Sequence, residues 1–362
     1  MQLPLNGKLP INLFASSFNK TTSTYKYYWL ISILEIVVEE NKNEIPVRDI
    51  LIKMICNAWY PIHYFKLSFD ILDLLNQNSK EIQRITDFPI DSSKNNLFSF
   101  LNNNKDRNIN ALINHFGRYV PYRFLSPWFS NKTDKEIFAL SQDYSNDCFY
   151  RFISKKNYWN KSDLDKLSEK NYRVLIYFCY WNLTIYLQSK IPNVPDIPNK
   201  LIKPVKRVAL NSQRKFWNIV FDKLHYIPCI YTNEKLIKAN FDVEHFIPYS
   251  FVSHDLIWNL IPANTNINSS KGNKLPRLND FFDEFVNIQQ IGIKTVYEKQ
   301  PRNKLLEDYL VLGGNIKDVI NLPFESFKSK YYNVMSPLLQ IAENMGFEYW
   351  NFNKPKNLSS KF

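Results

Sequence analysis

Seven glycines in 362 residues constrain this chain more than any other feature. Glycine supplies the positive-φ positions that tight hairpins and phosphate-cradling loops require. So sparse a supply argues against dinucleotide-binding and P-loop folds and against sandwiches dense in turns, and it favours long helices. Material for packing is plentiful, since 45% of the residues are hydrophobic and 16% aromatic, and the length calls for two or three domains. Charged residues make up 22% of the chain, a globular and not a disordered composition.

The apolar spacing agrees with that expectation. From 24 to 40 apolar side chains recur at helical intervals (Tyr28, Ile31, Leu34, Val38), with hydroxyl residues at 21–23 ready to cap. Pro46 stands at an N1-like position before Val47, Ile50, Leu51 and Met54, and more helical patches fall at 69–75, 97–101 and 163–189. Strand-like alternation is scarce before 225. The expected class is α+β, mostly α, beginning with a helical N-terminal domain at 1–189 that binds nucleic acid or a partner. At 190–210 Pro192, Pro195, Pro198 and Pro204 interrupt regular structure, while Lys190, Lys200, Lys203, Lys206 and Arg207 face only Asp196. That pattern predicts a semi-extended basic linker, either a solvated loop or a contact to a nucleic-acid strand. Helical spacing resumes at 211–224, and two apolar runs, 226–231 and 236–241, flank the turn at 232–235 as a hairpin would. Helical patterning returns at 281–288, 305–312 and 331–345. The expected layout is a module at 211–290 and a helical extension at 291–362.

A formal charge of +12 and a pI near 9.2 favour a polyanionic partner, because Lys and Arg release condensed counterions when they neutralise phosphates. Cys56, Cys148, Cys179 and Cys229 are scattered singly, which gives neither a disulfide framework nor a zinc site. The first twenty residues lack the charged start and unbroken apolar run of a signal peptide. The most apolar stretches, 27–38 and 174–187, fall short of the roughly 20 residues that span a bilayer. A soluble cytoplasmic protein is expected.

The chemistry concentrates in one segment. Phe241-Asp242-Val243-Glu244-His245-Phe246-Ile247-Pro248 sets a carboxylate beside a histidine; Asn259 follows fourteen residues after His245, and Asn268 with Lys271 nine residues later. Phosphodiester hydrolysis suits these residue types. Histidine deprotonates water near neutral pH. A hard cation held by one carboxylate and one amide oxygen neutralises the charge that develops on the phosphate and the leaving oxygen. Asp242 reads as a solvated strand residue, with an outer-shell ligand as the alternative, and His254 and Asp255 as loop or substrate-edge residues. His63 and His115 sit among aromatics and read as structural.

The stretch 241–276 resembles the HNH, or ββα-metal, endonuclease family, and its layout is similar to the HNH domain of type II RNA-guided CRISPR nucleases. The acid-His-x-x-Pro run, the spacings to Asn259 and Asn268, and the trailing Lys271 and Pro276 all correspond. The resemblance implies that His245, Asn259 and Lys271 form the catalytic set. His245 would be the general base, Asn259 would brace the hairpin loop and fix the imidazole, and Lys271 would sit near the phosphate. Glu244 and Asn268 would bind Mg2+ or Mn2+. Two departures stand out. Cys229 remains alone of the two CxxC pairs that hold a structural zinc in many members, with Thr232, Asn264 and Ile267 at the other positions, so no structural zinc is expected. Glu244 also stands where Asp is more usual.

The whole layout resembles bacterial HNH proteins of restriction or phage defence. The implied activity is metal-dependent endonucleolytic cleavage of DNA, with RNA as a second substrate class and a protein partner or homodimer as further partners. The alternatives are a nucleic-acid-binding or regulatory protein with a degenerate HNH module, or a partner-gated nuclease. Outside the segment, Lys203, Lys206 and Arg207 are candidate nucleic-acid contacts. So are Arg118 and Arg123, whose aromatic neighbours either stack bases or pack into a core.

Overall fold

The computed structural model describes residues 11–19, 21–40, 44–70, 72–154, 157–159, 169–204 and 207–352. Lys206 and the expected helix start at 163–168 lie outside the described residues. The chain divides into two compact units, Met1–Lys203 and Pro204–Phe362, and is mostly helical. None of the described helices is long and apolar enough to cross a membrane.

The first unit contains α1 (Ile11–Ser16), α2 (Tyr25–Glu40), α3 (Val47–His63), α4 (Leu74–Thr86), α5 (Lys94–Asn103), α6 (Arg107–Asn114), α7 (Val120–Leu125), α8 (Asp134–Gln142), α9 (Glu169–Lys190) and α10 (Ile197–Lys200). A small antiparallel sheet joins β1 (Glu44–Pro46), β2 (Arg151–Ser154) and β3 (Asn157–Trp159) in the order β1-β3-β2. The central element is α3, buried nearly all round from Ile50 to Ile62 and packed by α2, α4, α5 and α6. Pro46 caps α3 from an extended conformation instead of occupying its first turn, because it also pairs with Asn157 in the sheet. No helix forms at 65–70 or 72–73, against the sequence expectation for 69–75. Lys66 and Asp70 hold positive φ angles of 53° and 97°, and Asp73 turns its carboxylate to the Leu75 amide to cap α4. His63 packs on Trp59, with ring centroids 4.2 Å apart, and burial lowers its pKa to about 4.

The proline-rich stretch is less extended than its sequence predicts. Val194, Ile197 and Leu201 are buried, which folds the chain back through α10, and even Lys200 is fully enclosed, its pKa pushed down to about 7 by burial. Lys203 forms an ion pair with Asp91 at 2.5 Å and lies over the Tyr60 ring.

The second unit holds α11 (Asn211–Leu224), β4 (Ile227–Pro228), β5 (Lys235–Leu236), β6 (Asp242–His245), α12 (Tyr249–Val252), β7 (Leu260–Ala263), α13 (Thr265–Lys271), α14 (Leu278–Lys299), α15 (Ile316–Ile320) and α16 (Phe324–Asn344). The hairpin expected at 226–241 shrinks to two-residue strands, β4 against β5, because Pro228 offers the ladder no donor. The longer pairing joins β6 to β7, with Glu244 opposite Ile261 and His245 opposite Leu260. The short α12 lies between these two strands, and α13 follows β7 directly. Helix α11 lies against α14, where Gly292 lets the Trp217 ring come close; a Cβ there would stand 3.1 Å from two of its ring carbons.

Residues after 290 belong to the same compact unit as the motif, and their side chains hold it. Buried Gln289 of α14 donates to the Leu260 carbonyl at 2.8 Å and to that of Ile257 at 3.3 Å, and accepts from the Tyr309 hydroxyl at 2.6 Å. Asp308 takes the Ile257 amide, and Tyr331 donates to the Trp258 carbonyl. The turn carrying Asn259 is thus bonded by the helices behind it. Gln289→Leu is expected to destabilise the unit by about 2–4 kcal/mol, since it orphans the buried Leu260 carbonyl and the Tyr309 hydroxyl. A urea midpoint equal to the wild type would show that the clamp carries no stability.

Candidate active site

Strand β6 supplies three ionisable side chains in four residues. Asp242 and Glu244, two positions apart, share the strand face that meets α13, while His245 alternates to the other. Asn264 caps α13 by accepting from the Asn266 and Ile267 amides and donates to Glu234 at 2.9 Å. That fixes the helix against the preceding turn, so its side chains reach β6 at set places. Ile267 packs against the core, and Tyr231 lies edge-on to Phe281 and Trp350 at 5.0 and 5.3 Å.

The structure pairs these groups differently from the sequence expectation. Asn268, assigned with Glu244 as a metal pair, is bonded instead to Asp242, its Nδ2 lying 3.3 Å from Oδ2. Glu244 is 2% exposed and both its oxygens are occupied. Lys271 Nζ lies 2.5 Å from Oε1, and the Tyr231 hydroxyl donates to Oε2 at 2.8 Å. Burial, then the Glu244 charge, drives the Tyr231 pKa well up, so this hydroxyl stays a donor. Lys271, expected near the phosphate, is 1% exposed and also donates to the His245 carbonyl at 2.8 Å.

Asn259 is fully buried and forms a two-way bond with one residue: its Oδ1 accepts from the Ile247 amide at 2.9 Å and its Nδ2 donates to the Ile247 carbonyl at 2.8 Å. The Phe246 amide donates to the Asn259 carbonyl. Both polar ends of the side chain fix the backbone just after His245.

His245 is held by a residue that sequence reasoning set aside. Its Nε2 lies 3.0 Å from Asp255 Oδ1 and 3.2 Å from the His254 carbonyl. Arg207 grips the same carboxylate at 2.9 Å while lying 3.7 Å over the Tyr249 ring, itself edge-on to His245. Burial raises the Asp255 pKa, but the bonds and charges of His245 and Arg207 outweigh it and hold the carboxyl below its ordinary value. Gln213 ties down the Asp255 carbonyl. A second arginine absent from the sequence candidates, Arg214, stands 3.8 Å from Asp242 and covers the Phe241 ring. Nothing in the spacing marked either contact, since Asp255 sits in a loop and Arg214 on α11.

A hard divalent cation needs oxygen ligands open to solvent. Asp242 is about one-third exposed, and a half-turn of the Asn268 amide presents its oxygen beside that carboxylate. This pair fits such a cation without breaking a buried ion pair. Among the described residues no group of three or more His, Cys, Asp and Glu is gathered to hold a metal, so water and substrate oxygens would complete the shell. No curated protein and no solved structure matches the chain. Residues 229–277, which contain the β6-β7 hairpin and α13 but not Arg207, Gln213 or Arg214, match the family model described as HNH endonuclease, so the chain carries a nuclease domain of the HNH type.

Proposed function

We propose that this domain is an endonuclease hydrolysing phosphodiester bonds in DNA, with His245 as general base. The observation that carries the reading is the imidazole bonded through Nε2 to the Arg207-clamped Asp255, within the HNH-matching segment. With Nε2–H donated to Asp255, the Nδ1 lone pair is the one left to take a proton from water, and the carboxylate steadies the imidazolium that forms. Collapse of the phosphorane then breaks the P–O3′ bond, and the departing oxygen takes a proton from solvent water, leaving a 5′ phosphate and a 3′ hydroxyl. Arg207 and Arg214, each about 40% exposed, would meet phosphate oxygens.

Mg2+ or Mn2+ would be held by Asp242 and Asn268 and would neutralise charge on the phosphate and on the departing oxygen. Glu244 is the less favourable ligand, because freeing it from Lys271 would leave a buried ammonium uncompensated.

The test incubates the purified protein with supercoiled plasmid, duplex and single-stranded DNA, and RNA, with Mg2+, Mn2+ or EDTA. DNA cleavage with either metal and none in EDTA is expected. RNA as the sole substrate would overturn the DNA assignment. Cutting that persists in EDTA would remove the cation. Mn2+ titration followed by electron paramagnetic resonance should show Asp242→Asn and Asn268→Ala weakening binding about tenfold or more, and Glu244→Gln less. The opposite order would return the ligand role to Glu244.

A further inference from the structure

The first unit carries a concave site unrelated to the HNH segment. A cavity of about 420 Å³ opens between the start of α2 and α7. Thr21, Thr22, Ser23 and Lys26 line one side, and Tyr119 and Arg123 the other. That volume lies within the range of small-molecule sites, roughly 300–1,000 Å³.

Among the described residues no carboxylate pairs with its cations. Lys26 donates to the Ser17 carbonyl at 3.0 Å, and among the described residues neither it nor Arg123 joins a salt bridge. Burial, with Arg123 adding to it, lowers the Lys26 pKa, as expected where two cations approach each other without a counter-charge. Asp73, the carboxylate that caps α4, is buried and accepts from the Thr24 and Leu75 amides, and it forms no ion pair with either cation. Two cations with no carboxylate partner among the described residues, beside three hydroxyl residues, form a setting that an anion with several acceptor oxygens would satisfy.

The aromatic rim narrows the class. Tyr119 is 44% exposed, with Arg123 4.6 Å and Arg118 5.2 Å from its ring centre. The exposed part of the ring and the two guanidiniums lying over it together offer a base a stacking surface beside the cations that would hold its phosphate. Two cations with no salt bridge among the described residues and a half-exposed aromatic ring therefore line one cavity.

We propose that this cavity binds a nucleotide phosphate, Lys26 and Arg123 holding the phosphate oxygens and Tyr119 stacking on the base. The ligand is a free nucleotide or one unit of a single strand. This site stands independently of the catalytic reading, and its test needs no cleavage.

The full-length protein in EDTA is titrated with a fluorescent eight-nucleotide thymidine oligomer, thymidine monophosphate and inorganic phosphate. The wild type should bind both nucleotide probes more tightly than phosphate. Tyr119→Ala should weaken nucleotide binding about tenfold and Tyr119→Phe should not, since the ring alone stacks. Arg123→Gln should weaken it similarly and make the oligomer's salt dependence shallower by about one unit of log-log slope. An oligomer that binds more tightly than the monophosphate identifies a strand; equal affinities identify a free nucleotide. Affinities unmoved by Tyr119→Ala and Arg123→Gln, in variants whose melting matches the wild type, would overturn the proposal. Phosphate binding as tightly as the nucleotides would overturn it too, leaving an anion site without base recognition.

Discussion

Replacing His245 with alanine is expected to lower phosphodiester cleavage about a thousandfold, the middle of the range that a positioned general base contributes. The protein should stay folded, because the backbone after His245 is fixed by Asn259 and by pairing with β7, not by the imidazole. Asp255→Asn should act through the histidine. An amide in place of the carboxylate can still meet Nε2 but no longer steadies the imidazolium, so kcat should fall about tenfold or more, with KM nearly unchanged. Nitrogen-15 spectra of the His245 ring separate this from a purely structural loss, since the wild type should show the Nε2–H tautomer and Asp255→Asn a mixture. Equal cleavage by wild type and His245→Ala would end the catalytic assignment. Unchanged ring spectra in Asp255→Asn would end the positioning role.

The motif was legible because residue types at fixed spacing are what an HNH site requires: acid-His before a proline, then Asn259, then Asn268. The resemblance assigned Asn259 to the loop, and the structure shows a two-way bond between its side chain and Ile247. The choice of partners was not legible. Asp242 and Glu244 share one strand face, and which of them meets Asn268 and which Lys271 depends on where α13 lands, a tertiary fact set by the Asn264 cap. Asp255 escaped for a similar reason, since a loop residue ten positions from the histidine carries no periodic signal. The scarcity of glycine did foretell helices, and patterning located α2 and α14, but not the break before α4, where positive φ occurs at Lys66 and Asp70 in place of glycine. The lysine at 200 looked solvated by composition and is enclosed, because Ile197 and Leu201 pull the chain inward.

The buried pair of Lys271 and Glu244 yields the largest expected effect on stability. Both side chains lie almost wholly out of water, at 0% and 2% exposure. Lys271→Met should destabilise the β6-β7 hairpin by about 3–5 kcal/mol, because it strands a carboxylate whose remaining partner is the Tyr231 hydroxyl and removes a donor from the His245 carbonyl. Glu244→Gln alone should cost less, since the amide oxygen can still accept from the ammonium, although the charge of Lys271 is then unpaired. Removing both charges together, Glu244→Gln with Lys271→Met, should recover about 1–3 kcal/mol relative to the summed single effects. Hydrogen exchange of the hairpin amides reads this locally. An additive double variant would deny the pair any coupling. The same protein also bears on the cation. If Asp242 and Asn268 are its ligands, the double variant retains Mn2+ affinity despite having lost the carboxylate at 244; if affinity vanishes while the hairpin stays protected, Glu244 must leave Lys271 to bind the metal, and the buried pair becomes a latch that metal entry opens.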